Sequence, residues 1–221
     1  SMNMSKDASS CKVSVIIKAL NEEQKIARAI ESALQAVEAL GGEVILADSL
    51  STDQTIAIAQ KFPIKIVQLV NQNERCCGVG PQLGYQYASG EYVYILDGDM
   101  QMLDGFLPMA IEFLDANPDY AGVGGNVLEM NTDSLEFQAR VERAPEDMNP
   151  GDVDRLDMGG LYRTSAIHDA GYFSNRNLHA YEELDLAVRL RSKGWKLHRL
   201  DRNSVKHWGH DVPPYQLILK R

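Results

Sequence analysis

Short apolar runs alternate with helical-period segments through the first hundred residues. Val13-Ser14-Val15-Ile16-Ile17 is β-branched and suits a buried strand. Apolar positions then recur at Ile26, Ile30, Ala33, Leu34 and Val37, the spacing of one helix face, and Gly41-Gly42 ends the pattern. Glu43–Ala47 reads as a second strand, and Ser51-Thr52-Asp53 offers an N-cap for a helix running to about Lys61. Ile64–Leu69 reads as a third strand, followed by a glycine-punctuated helix from about Val79 to Ala88. Tyr92-Val93-Tyr94-Ile95-Leu96 is the fourth strand and ends at Asp97.

This alternation implies right-handed βαβ units and an α/β fold with one Rossmann-like, mostly parallel sheet flanked by helices. Ligands bind such sheets beyond the carboxyl ends of the strands. Asn21, Asp48 and Asp97 all fall there, where one nucleotide pocket would need them.

The second half is less regular. Residues 119–130 suit a strand rich in Gly and Val, and the acidic stretch 131–158 reads as a loop or irregular helices covering a site. Gly159-Gly160 leads into a short strand and helix. A strong helix is expected from about Ala180 to Lys193, then a strand Lys196–Leu200 with His207 beyond it.

Composition narrows the classes. A chain of 221 residues accommodates one sizeable domain. Its net charge of -9 argues against a nucleic-acid partner or an anionic membrane surface, both of which favour basic proteins. Cys11, Cys76 and Cys77 are odd in number and lack metal-ligand spacing, so a reduced, cytoplasmic setting is expected. No apolar run approaches transmembrane length.

The chemistry concentrates at Asp97-Gly98-Asp99. Residues two apart at a strand's end share a face, so the two carboxylates can converge, and Gly98 leaves room for a ligand or for unusual backbone angles. Carboxylates suit Mg2+ or Mn2+, and such ions carry substrate phosphates. The same tripeptide is also a common turn. His207 joining two Asp residues would complete a mixed oxygen and nitrogen set suited to Mn2+, with His210 a weaker choice. Asp48 either accepts a hydrogen bond from a base or ribose or caps the next helix, and Asn21-Glu22-Glu23 has the same two readings.

In the helix Tyr181–Leu190, residues Leu184, Leu186, Ala187, Val188 and Leu190 define a broad apolar arc that includes Glu183, while Asp185 and Arg189 are spaced for an ion pair. A carboxylate on an inward face suits a general base; one in a first turn also suits the helix dipole. Gly78-Val79-Gly80-Pro81-Gln82-Leu83-Gly84 has neither the Lys-Ser/Thr of a Walker A loop nor dinucleotide-fingerprint spacing.

Taken in order, these segments resemble the family 2 glycosyltransferases, inverting enzymes of the GT-A fold, over most of residues 12–208. The strand Val13–Ile17 with Asn21-Glu22-Glu23 is similar to the family's opening strand and turn. Asp48–Thr55 is similar to its Asp-Ser-Gly-Ser-Thr-Asp-Gly-Thr segment, with Leu50 and Gln54 in place of the glycines. Ala88–Asp99 matches its Ala-x-Gly-Glu-Tyr strand and Asp-x-Asp motif. Glu182-Glu183-Leu184-Asp185-Leu186, with Arg189-Leu190 and Gly194, resembles its Glu-Asp-x-Asp-Leu…Arg-Leu…Gly segment. Pro81-Gln82 replaces an Arg-Asn often found before Gly84.

The resemblance implies a hexosyltransferase-like enzyme that moves a sugar from a nucleoside diphosphate donor to an acceptor hydroxyl. Asn21, Glu23, Asp48, Asp97 and Gly98 would bind the donor. Asp99 and His207, with Asp97 at the ribose or the metal, would hold Mn2+ or Mg2+. Glu183 takes the place of the catalytic Asp, with Glu182 as the fallback base. The implied organisation is a domain over 12–208, with a nucleotide-binding half (12–100) and an acceptor-binding half (101–208). Residues 1–11 would be a disordered tail or cloning remnant, and 209–221 a C-terminal extension that reads as a helix still running. Membrane association, at the cytoplasmic face, is expected only if the natural chain continues past 221. The competing classes are a nucleotidylyltransferase, which wants a basic glycine-rich loop where this chain has Lys18-Ala19-Leu20, and a non-catalytic nucleotide-sugar-binding module.

Overall fold

A computed structural model describes residues 11–69, 84–131, 150–171 and 182–209, with the backbone alone for 182–184. The elements run β1 (Val13–Ala19), α1 (Ile26–Glu38), β2 (Glu43–Asp48), α2 (Thr55–Ala59), β3 (Lys65–Gln68), β4 (Tyr92–Asp97), β5 (Met100–Met102), α3 (Phe106–Ala116), β6 (Tyr120–Glu129), β7 (Gly151–Val153), β8 (Gly160–Arg163), α4 (Thr164–Ala170), α5 (Glu182–Ser192) and β9 (Lys196–His207).

Side-chain alternation on the central strands creates two apolar layers. On β1, Val13, Val15, Ile17 and Ala19 face one core while Ile16 faces the other; on β4, Tyr92, Tyr94 and Leu96 oppose Val93 and Ile95. Helix α1 covers the first layer with Ile26, Ala29, Ile30, Ala33 and Val37, and α3 covers it with Phe106, Leu107, Ala110, Ile111 and Leu114. The second layer is covered by Ala166, Ile167 and Ala170 of α4 and by Leu186, Ala187 and Leu190 of α5. Burying each large aliphatic side chain stabilises the fold by roughly 1.5–3 kcal/mol, so truncating Ile30 to Ala should cost about 2–5 kcal/mol.

Among the described residues the sheet has nine strands in the order β3-β2-β1-β4-β8-β6-β9-β5, with β7 paired to β9. The pairs β2/β3, β1/β2 and β1/β4 are parallel, which is the βαβ half anticipated from the alternation. Beyond β4 the sheet is mixed: β6/β9 is parallel, whereas β4/β8, β6/β8, β5/β9 and β7/β9 are antiparallel.

Three local expectations change. Helix α2 spans five residues instead of running to Lys61, because its chain turns at Lys61–Phe62. Its entry is fixed by Asp53, whose Oδ1 accepts from Thr55 N at 2.9 Å. Strand β9 continues for twelve residues, so His207 is its last residue and not part of a tail; pairing to β5 and β6 carries the strand through the polar run Asp201-Arg202-Asn203. Within 131–158, residues 151–153 form β7 along β9. The helix expected over 79–88 is described only from residue 84, where 84–86 are helical. Cys76, Cys77, His210 and the two termini lie outside the described residues.

Candidate active site

Asp97 ends β4, and Gly98 and Asp99 turn the chain directly into β5. That turn spans two regions of the sheet, because β4 pairs with β1 and β8 while β5 lies against β9. Gly98 is needed for closeness, not for unusual angles: its φ is not positive. A Cβ there would stand 3.1 Å from Glu22 Cγ, 3.2 Å from Ala19 Cβ and 3.3 Å from Lys18 O. The Gly98 N–H donates to Lys18 O at 2.9 Å, locking the turn to β1.

The two carboxylates have different surroundings. Asp97 is half-buried and lies opposite Lys18 in register, with Lys18 Nζ 3.4 Å from Asp97 Oδ1. Asp99 is buried, and its Oδ2 lies 3.1 Å from His207 Nε2. His207 is paired in register with Met100 on one side and Glu129 on the other. Glu129 Oε2 lies 2.8 Å from His207 Nδ1, so the imidazole is held between two carboxylates.

Burial alone would draw the His207 pKa down, but Asp99 and Glu129 outweigh it and push it up to about 10. Trp208 N donates to Asp99 O at 3.1 Å, and the Arg28 guanidinium of α1 stacks 3.9 Å from the Trp208 ring centroid. These contacts pin the chain on both sides of the Asp99–His207 pair.

Glu129 was absent from the sequence-derived site. The signal existed, since a carboxylate closing an apolar strand is the criterion that selected Asp97. What the sequence did not contain was the register that sets Glu129 beside His207.

The strand ends beyond β1 and β2 interlock. Asp48 is fully buried; its Oδ2 accepts from Ser51 N at 2.9 Å and Gln68 Nε2 at 3.1 Å, and its Oδ1 accepts from Ser51 Oγ at 2.5 Å. By alternation Asp48 shares a face with Leu46, whereas Asp97 shares the opposite face with Ile95. Both therefore sit at the carboxyl edge, on different sides of the sheet.

Asn21 Oδ1 accepts from Thr52 N at 2.8 Å, Glu23 Oε2 accepts from Gln54 N at 3.1 Å, and Glu22 N donates to Thr55 Oγ1 at 2.9 Å. These side chains brace the 51–55 turn. Asn21 and Leu50 hold left-handed φ angles of 53° and 63°, the former tolerated by Asn, the latter strained for Leu.

Glu182 and Glu183 open α5, and their side chains lie outside the described residues. Downstream, Leu186, Ala187 and Leu190 are buried as the apolar arc requires, and Arg189 Nε meets Asp185 Oδ2 at 3.1 Å. Val188, placed in that arc by sequence, is instead exposed, because the arc is narrower than five apolar residues suggest.

Among the described residues, no group of three or more His, Cys, Asp and Glu side chains is placed to hold a metal. The Asp99–His207 edge nonetheless suits one. Asp99 offers a carboxylate oxygen and His207 an imidazole nitrogen, 3.1 Å apart and hydrogen-bonded to each other, and these are donor types that suit Mn2+. A carboxylate on the other ring nitrogen is the usual second-layer partner of a metal-binding histidine.

A parallel α/β half whose strand ends carry an Asp-x-Asp turn, extended by a mixed half that returns a histidine to it, is the GT-A type of glycosyltransferase fold. The structure of S. aureus TarS 1-349 in complex with UDP-GlcNAc superposes with a TM-score of 0.73 at 21% identity, over 91% of this chain and 60% of that one. The chain belongs to glycosyl transferase family 2, whose profile matches residues 14–166. It is 29% identical over 205 residues to the putative glycosyltransferase EpsE of Bacillus subtilis (strain 168), covering 86% of this chain and 70% of that protein. It is 35% identical over 121 residues to the Campylobacter jejuni GalNAc(5)-diNAcBac-PP-undecaprenol beta-1,3-glucosyltransferase, covering 53% of this chain and 38% of that protein. It spans only 23% of the Arabidopsis thaliana glucomannan 4-beta-mannosyltransferase 2, at 32% identity over 126 residues. Among the described residues, no helix is long and apolar enough to cross a membrane.

Proposed function

We propose that this chain transfers a sugar from a nucleoside diphosphate donor to an acceptor hydroxyl with inversion at the anomeric carbon. The observation that carries this reading is the Asp99–His207–Glu129 cluster beside Asp97 at the carboxyl edge of the sheet. Asp99 and His207 would hold Mn2+ or Mg2+. When bound, such an ion neutralises charge developing on the leaving diphosphate.

The remaining roles fall to the chain itself. Asp97, oriented by Lys18, would accept from a donor ribose hydroxyl, and Asp48 and the braced 21–23 turn would form the wall of the nucleotide slot. Glu183 would take the proton of the acceptor hydroxyl as that oxygen attacks from the face opposite the diphosphate, with Glu182 as the alternative base. UDP-sugars are the first donors to test, because TarS has been solved with UDP-GlcNAc. The acceptor class is open among a lipid carrier, a growing glycan and a small molecule; most of the residues expected to cover its pocket, 132–149 and 210–221, lie outside the described residues.

Calorimetry with UDP and GDP, with and without Mn2+, tests the donor site. Binding should require the metal, and Asp99→Asn should weaken it at least tenfold; binding indifferent to metal in the wild type would overturn the metal-assisted reading. Glu183→Gln should lower nucleoside diphosphate release by about 10²–10⁴-fold while leaving donor affinity within a few-fold. Near-normal turnover in that variant would move the base to Glu182.

A further inference from the structure

We infer that Glu129 is the positioning residue of this site: held against Nδ1 of His207, it fixes the imidazole so that Nε2 faces Asp99. The inference rests on the metal-assisted reading above. Three observations carry it. Glu129 and His207 are direct neighbours across the β6/β9 ladder, so backbone pairing places them together. Both side chains are about 10% exposed or less, so neither swings into solvent. The contact of Glu129 Oε2 to Nδ1, 2.8 Å, is shorter than the 3.1 Å from Asp99 Oδ2 to Nε2, which marks Glu129 as the tighter hold on the ring.

The geometry has a chemical consequence. An imidazole on a single-bonded stem can rotate and present either nitrogen. With Nδ1 engaged by Glu129, Nε2 is turned to Asp99. The ladder itself is uneven here: register shifts between Gly124 and Asn126 and between Asn126 and Val127 bring Val127, Leu128 and Glu129 into phase with Val205, Lys206 and His207. Such irregularities commonly re-aim a side chain next to an active site. Removing an orienting partner of this kind lowers metal affinity by roughly 10–100-fold.

The test compares wild type with Glu129→Ala, Glu129→Gln and Glu129→Asp. Mn2+ affinity is read by electron paramagnetic resonance, with UDP present. The His207 ring nitrogens are read by 15N NMR with Zn2+ as a diamagnetic stand-in. The wild type should show a protonated Nδ1 and a metal-shifted Nε2. Glu129→Ala should lose roughly 10–100-fold in Mn2+ affinity and its single ring arrangement. Glu129→Gln, which keeps an acceptor oxygen at the same reach, should recover most of both. Glu129→Asp, one methylene shorter, should recover less. Thermal unfolding identifies any variant that fails to fold, in which case Glu129→Gln and Glu129→Asp carry the comparison.

If Glu129→Ala binds Mn2+ within twofold of wild type with the same ring signals, the positioning role is overturned and the metal reading stands. If wild type itself binds no Mn2+, the metal reading falls and this inference with it.

Discussion

Leu50 holds a φ of 63° immediately beyond the β2 carboxyl end, a conformation in which an L side chain crowds its own backbone. The left-handed region costs a residue with a Cβ roughly 1–2 kcal/mol, partly offset in glycine by its larger entropy when unfolded. Leu50→Gly is therefore expected to raise stability by about 0.5–1 kcal/mol, seen as a higher urea midpoint at unchanged m-value. A lower midpoint would show that the Leu50 side chain contributes more by packing than its backbone loses. Gly98→Ala should do the opposite: the added methyl meets three neighbours at 3.1–3.3 Å, and crowding of that kind costs about 1–3 kcal/mol. At this scale the sequence showed Asp97 and Asp99 clearly, because they interrupt an apolar run. It did not show that Asn21 and Glu23 would brace the 51–54 turn, since a polar side chain on a loop looks alike whether it binds a ligand or a backbone N–H.

At the scale of elements, Glu43 ties the amino-terminal edge of the sheet together. Its Oε2 accepts from Ser14 Oγ at 2.6 Å and from Ser89 N and Oγ at 2.7 Å each, while Oε1 accepts from Lys65 Nζ at 2.9 Å. Burial alone would raise the Glu43 pKa, but these hydrogen bonds outweigh it and hold it down at about 2. A carboxyl depressed from 4.5 in the unfolded chain to about 2 stabilises the fold fully above pH 4.5 and loses that contribution as pH falls toward 2. Glu43→Gln should thus destabilise by on the order of 2 kcal/mol at pH 7, and the gap from wild type should close between pH 4.5 and 2 in denaturant titrations. A gap independent of pH would assign the effect to packing. The strands that Glu43 joins were legible because β-branched runs announce them. Strands β5 and β7, three residues each, carry no period long enough to read. The far half of β9 is too polar to suggest a strand until its partners are known.

On the scale of the whole molecule, the candidate site is assembled from three distant stretches: Asp97–Asp99, Glu129 and His207. Sheet order brings them together, and order beyond β4 was not legible, since four antiparallel pairings follow a half in which every pairing is parallel. The field around that site is set by the whole chain, whose net charge is -9. A nucleoside diphosphate is itself an anion, so at long range a chain of this charge repels it. Screening acts on the long-range part first: the Debye length shrinks from about 30 Å at 0.01 M to about 10 Å at 0.1 M. With Mn2+ saturating, raising monovalent salt over that range should tighten UDP binding by about two- to threefold. The gain should appear in the association rate measured by stopped flow, with dissociation little changed. A basic nucleotide-binding protein would show the opposite slope. Weakening with salt here would mean that local positive potential, from Lys18 and the added Mn2+, outweighs the acidic surface even at a distance.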